Sequence, residues 1–220
     1  MTFTVKNLLR KKFSSAAGIS FIGQATGTTS ITTMPTHQAG DLIIIFAYRA
    51  GSTSAPTVPS GYTSKATNTA ASVVTAAQAA VVGFKLAASS SETSGTWTNA
   101  SRIVCHVYRG VDQTIPLGGS STYDIGNNGV ASTLTYEACT LQKTDGTSWL
   151  AAFAGSIGTS GTGTDDPPGT MVNRSTLASS NYVAGHDTGT GLSANWSRTT
   201  KALGTNTDWL TFCIEIRAAA

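Results

Sequence analysis

Gly40-Asp41-Leu42-Ile43-Ile44-Ile45-Phe46-Ala47-Tyr48 is the stretch on which the fold turns. It is a short apolar run rich in β-branched residues, entered from a Gly-containing turn, and it reads as a strand over residues 41–48. A second apolar strand, residues 148–153, follows a similar turn, Asp145-Gly146-Thr147. Leu42 and Leu150 are then matched at a displacement of 108, and so are Pro59-Ser60-Gly61 with Pro167-Pro168-Gly169 and Cys105–Arg109 (CHVYR) with Cys213–Arg217 (CIEIR). The closing strands complicate the last match. Ile103, Cys105 and Val107 share one face, and so do Leu210, Phe212, Ile214 and Ile216. If those two faces are equivalent the displacement is 107 and the cysteine match is accidental, because a slip of one residue turns every side chain over. The repeat predicts an all-β fold: one antiparallel, jelly-roll-like sandwich of two similar halves, about residues 19–115 and 116–220, in preference to two small sandwiches in tandem.

Composition agrees with strands. Only 11% of the 220 residues are charged, against roughly 25% in an average soluble domain, and helices with solvated outer faces need more. Strand signals recur at residues 19–24, 29–34, 41–48, 62–67, 73–86 (with a break) and 102–108, then at 132–141, 148–153, 171–174, 182–185, 194–199 and 209–217. The Ala-rich stretch 73–86 is the one place where a helix competes; Val81-Val82-Gly83-Phe84 has no charged face and favours a strand.

The net charge of +3 is unevenly placed. Residues 1–18 form a basic arm. Its first 13 residues hold Lys6, Arg10, Lys11 and Lys12 and no acid, so the remaining 207 residues sum to −1. A near-neutral body argues against a nucleic-acid groove. Leu8-Leu9 is too short an apolar run for a secretory signal, and no stretch is long enough to span a membrane. Three cysteines, Cys105, Cys139 and Cys213, lack metal or redox spacing and fit a reduced chain.

Between residues 19 and 115 the order of motifs carries a resemblance. GDLIIIFAY, VPSGYTSKA, VVGFKLAASSSETSGTWT and IVCHVYRGVD follow one another as a GDLL-type strand, a P-x-G-Y/W turn, a strand ending in F-K-x-A, a T-W-T segment and a closing strand ending in Y-R-G. This resembles a family of phage and bacterial virion- or surface-associated β-sandwich proteins; the second half fits it loosely, and Tyr62 stands where the family often has Trp. The resemblance implies a scaffold with no catalytic residues.

Candidate chemistry is sparse. Asp165 and Asp166, with Asp187, are weak candidates for a Ca²⁺ site, although the alternating ligands of a calcium loop are missing and a solvated turn before Pro167 serves as well. Cys105 and His106 are adjacent on a strand, point to opposite faces and make no dyad. His186-Asp187 would need a serine, and no G-x-S-x-G elbow exists; His37, His106 and His186 are expected at the surface or in turns. Glu92, Glu137 and Glu215 show no cleft-spanning placement. Trp97, Trp149, Trp196 and Trp209, with Tyr62, Tyr108, Tyr123 and Tyr182, are either a sugar-stacking platform or core anchors.

The expected function is therefore non-enzymatic and without cofactor: a virion protein assembled in the host cytoplasm, foremost a capsid decoration or cement protein bridging bacteriophage head subunits. The alternatives are a tail, baseplate or fibre component touching host glycans, and a carbohydrate-binding module. The arm is the expected partner-binding element. Lys6, Arg10, Lys11 and Lys12 would meet acidic surface, while Phe3, Leu8, Leu9 and Phe13 fill apolar grooves on the major capsid protein or other virion subunits. A homo-oligomer in the particle is expected, with no direct nucleic-acid or membrane contact.

Overall fold

In the computed structural model the described residues are 18–71, 75–124, 132–157, 167–178, 180–203 and 206–220. They form twelve strands: β1 Ser20–Gly27, β2 Leu42–Ala50, β3 Thr63–Ala70, β4 Gln78–Leu86, β5 Arg102–Arg109, β6 Leu117–Asp124, β7 Thr133–Tyr136, β8 Trp149–Ile157, β9 Val172–Ala178, β10 Asn181–Asp187, β11 Thr199–Ala202 and β12 Trp209–Ile216. Two antiparallel five-stranded sheets run β1-β5-β2-β4-β3 and β6-β12-β8-β10-β9, and β7 pairs with β11. The all-β sandwich and its two similar halves are both present. Each half keeps five strands within a single sheet of the sandwich, and the second half adds the β7–β11 pair; this is the topological detail that separates the arrangement from a jelly roll with four strands per half.

The two sheets share one strand order, with β6, β8, β9, β10 and β12 in the places of β1, β2, β3, β4 and β5. They pack face to face in opposite directions: β2 lies on β8, β5 on β10, β4 on β12, and the edges β1 and β3 lie beside β9 and β6. That is the layout of an isologous dimer contained in one chain.

Register sharpens the repeat. Ile45 pairs with Cys105, and its counterpart Ala152 pairs with Cys213, so β2 and β8 are displaced by 107 and β5 and β12 by 108. Cys105 and Cys213 both point to the outer face of their sheets, so the cysteine match preserves facing. The leucine match does not: Leu42 faces the central core and Leu150 the outside. In the proline turns, Tyr62 N–H donates to Pro59 and Met171 N–H to Pro168, which displaces the turn by 109 and leaves its glycine one place earlier in the second half. Bulges recur as well. One interrupts β1 at Ile22 and β6 beside Gly118; another interrupts β3 at Lys65 and β9 at Arg174.

The core has three parts. Leu42, Ile44, Phe46, Tyr48, Phe153, Phe212 and Ile214 fill the space between the sheets, with Phe46 stacked 5.5 Å from Phe153. Fully burying each such side chain contributes about 1.5–3 kcal/mol. Ile43, Ile45, Ala47, Cys105 and Trp97 form a second cluster outside the first sheet, and Leu150, Ala152, Cys213, Tyr136 and Trp209 a third outside the second. The central strands are thus buried on both faces, which is why residues 42–48 and 149–154 are apolar without alternation.

The covers are the connections that cross each sheet. In the first half residues 28–41, 51–62 and 87–101 satisfy one another's backbone: Trp97 N–H donates to Thr29, Thr57 N–H to Thr98, and Ile31 N–H to Ser94 Oγ. Residues 29–34, expected as a strand, belong to this cover; Ile31 is buried in it, but its partners are a hydroxyl and a loop. In the second half β7, β11 and the Cys139–Trp196 bridge do the same work. The strand expected at 194–199 is shifted, and only Thr199 lies in β11. Gln78–Leu86 is strand, as the missing charged face suggested. β6 has almost no apolar signal (LGGSSTYD) and was not expected; it exists because β12 offers it a ladder.

Candidate functional site

The arm residues Phe3, Lys6, Leu8, Leu9, Arg10, Lys11, Lys12 and Phe13, and the acids Asp165 and Asp166, lie outside the described residues. Among the described residues no group of three or more His, Cys, Asp or Glu side chains is placed to hold a metal. No helix among the described residues is long and apolar enough to cross a membrane.

The densest polar constellation is inside the sandwich, where β5 crosses β9 and β10. His106 Nε2 lies 2.8 Å from Ser175 Oγ, and His106 Nδ1 lies 3.1 Å from the Tyr108 hydroxyl. That hydroxyl donates to Asp187 Oδ2 at 3.2 Å, and Arg174 grips both Asp187 oxygens at 2.9 Å. Tyr108 has one proton and directs it to the carboxylate, so its oxygen accepts from His106 Nδ1–H. Nε2 is then the acceptor for Ser175 Oγ–H. Burial, reinforced by the positive charge of Arg174, lowers the His106 pKa to about 3 and keeps the ring neutral. Burial also raises the Tyr108 hydroxyl, and the Asp187 carboxylate adds to the rise.

A serine hydroxyl aimed at a neutral imidazole is the contact of a nucleophile and base. Here both members are buried, His106 completely, and Phe21 closes the group with its ring edge-on to His106 at 5.4 Å and Arg174 4.6 Å above it. Gly185 makes the room: a Cβ there would sit 2.5 Å from His106 Cε1. The group ties one sheet to the other. Sequence reasoning missed it because its members come from β5, β9 and β10; the one signal was Gly185 in the interior of a strand. The histidines depart from expectation too: His37, His106 and His186 are all buried. His37 receives Glu92 N–H on Nε2, and His186 lies on the outer face beside Tyr136.

Every acid whose side chain is described is committed to a partner. Asp41 takes a bidentate grip from Arg109 at 2.8 and 2.7 Å and accepts Gln38 N–H. This joins the first residue of the GDL motif to the arginine of the Y-R-G motif. Glu215 is buried and accepts from the backbone of Gly119, Gln142 and Lys143 and from Ser148 Oγ; burial raises its pKa, but these donors outweigh it and hold the carboxylate below its usual range. Asp208 accepts from Thr75 and Ala76 and so links the halves. Asp112 and Asp145 cap turns, and Glu92 and Glu137 pair with Lys85 and Arg198. The remaining motifs meet in the first cover: the Tyr62 ring lies edge-on to Trp97, receives Lys85 at 4.5 Å, and its hydroxyl donates to Thr93.

All three cysteines are free and buried. Burial raises Cys105 and Cys213 far above a reactive range and puts Cys139 at about 11. Of the tryptophans, Trp97, Trp149 and Trp209 are core, as is Tyr108; Trp196 is half-buried. Two open clefts lie on the covers. One, of about 430 Å³, runs along residues 31–37 and 90–93; the other, of about 250 Å³, is lined by Asn195, Trp196, Ser197 and Thr199.

Compared with protein-family models, curated proteins and solved structures, the chain matches none of them.

Proposed function

We propose that the chain is a structural subunit of a virus particle, most specifically a decoration or cement protein that bridges the subunits of a bacteriophage head. The observation that carries this reading is the commitment of all eight described carboxylates, Asp41, Glu92, Asp112, Glu137, Asp145, Asp187, Asp208 and Glu215, to hydrogen bonds within the chain. The motifs of the resemblance, from Asp41 and Arg109 to Tyr62 and Trp97, serve the same end. Such a body supports a mechanical role: it presents a thinly charged surface to neighbours, and the basic arm reaches onto the major capsid protein or another virion subunit.

Deleting residues 2–13 tests this. The truncated chain should unfold at the temperature of the full chain, while its occupancy in purified particles, read by quantitative gel or by density at the decoration sites, should fall. Full occupancy without the arm overturns the arm's role. A tail or fibre location would show as a ring or trimer in place of a copy number set by head symmetry. The half-buried Trp196 beside an open cleft is what favours a glycan-contacting second reading.

A further inference from the structure

Each cover holds a tryptophan, and the two sit differently. In the first, Trp97 is fully buried and its Nε1–H donates to Ser94 at 2.9 Å. In the second, Trp196 is half-buried at the wall of the 250 Å³ cleft, and its Nε1 has no hydrogen-bond partner among the described residues. That nitrogen is closed off from solvent, so what Trp196 offers the cleft is its ring and not its N–H.

The surroundings narrow the ligand class. Trp196 is fixed by the Cys139–Trp196 bridge, and its ring packs over Gly169, where a Cβ would lie 3.3 Å from Cη2. Exposed Asn195 has its Oδ1 engaged by Leu141 N–H, which leaves the amide hydrogens as donors; Ser197 and Thr199 add hydroxyls. Arg198, the nearest charge in sequence, is paired with Glu137 at 3.8 Å. An aromatic wall with amide and hydroxyl groups and no uncompensated charge matches a ring that has one apolar C–H face and a rim of hydroxyls.

We propose that the cleft at Trp196 is a binding site for a neutral saccharide, the sugar ring lying against the indole and its hydroxyls meeting Asn195, Ser197 and Thr199. The site is independent of the arm and of the particle reading, so either can fail alone. The full chain is titrated with millimolar cellohexaose, maltohexaose and N-acetylchitohexaose while the tryptophan indole resonances are followed by NMR. At least one sugar should shift the Trp196 signal and leave Trp97 and Trp209 in place. Trp196→Ala should raise Kd about tenfold or more. Because Trp196 also supports the second cover, Ser197→Trp is the companion variant: it fills the cleft from an exposed position, should keep the unfolding temperature, and should abolish the shift. Silence with all three sugars, or undiminished binding by Ser197→Trp, overturns the proposal.

Discussion

The two ends of the central core occupy equivalent places and have opposite chemistry. At one end Phe21, His106 and Tyr108 of the first sheet meet Arg174, Ser175, Gly185 and Asp187 of the second. By register their counterparts at the other end are Leu117, Ile214 and Ile216 facing Lys65, Ala66, Val82 and Phe84. Even the bulged cations correspond: Arg174 turns to Asp187 and the Phe21 ring, while Lys65 reaches the Gly118 carbonyl at 2.5 Å. One backbone thus accepts either a hydrogen-bonded polar chain or plain apolar packing. Gly185 is part of the difference: it leaves space for an imidazole where Val82 fills the equivalent place.

The comparison also bears on how the halves recognise each other. Two copies of the first half would set His106 against Val82, and two copies of the second would set Asp187 and Arg174 against Ile214 and Ile216. Asp187 and Arg174 pair within the second half in any arrangement, but only the unlike pairing gives the buried Tyr108 hydroxyl and His106 Nε2 their partners, Asp187 and Ser175.

The sharpest way to break the contrast is Asp187→Ala. It leaves the buried Tyr108 hydroxyl without its acceptor and the partly exposed Arg174 guanidinium without its carboxylate, and should lower stability by about 2–4 kcal/mol, read by urea unfolding. A loss under about 1 kcal/mol would show that the polar end is no more demanding than a surface pair. Gly185→Ala comes next, because its methyl must displace His106; about 1–3 kcal/mol should be lost, and His106→Ala in the same chain should recover part of it. Near pH 6 the smallest effect is one of protonation, and it grows with acid. His106 titrates near 3 when folded and near its ordinary value of about 6.5 when unfolded, so the unfolded chain takes up the proton first. Stability should be full above about pH 6.5 and fall as pH drops toward 3. Glu215, lowered by its donors, also loses stability in acid, so the measurement is the difference between the native chain and His106→Gln, whose acid slope should be shallower by up to one proton.

Much of the fold was legible before the structure. Undisguised apolar runs announced β2, β8 and β12, and recurring turns announced the duplication. Facing was harder. The apolar side of the closing strand looked like Ile103, Cys105 and Val107, because the opposite side carries His106 and Tyr108; yet that polar side is the inner one, held there by Ser175 and Asp187 from the other half. Residues 29–34 looked like a strand because a buried cover needs apolar side chains as a sheet does. β6 was invisible because its Gly and Ser residues form a ladder only once β12 lies beside them. Of the candidate sites, the tryptophans could be named from sequence, but which of them reaches a cleft depends on how a cover closes.

Cys105 lies beneath the first cover and Cys139 and Cys213 beneath the second, with no thiol in the space between the sheets. The molecule therefore carries its own pair of clocks. The rate at which a thiol reagent reaches Cys105 times the lifting of one lid, and the rate at Cys139 and Cys213 times the other. Neither needs the two sheets to part, so the order in which the layers come undone can be read without adding a single label.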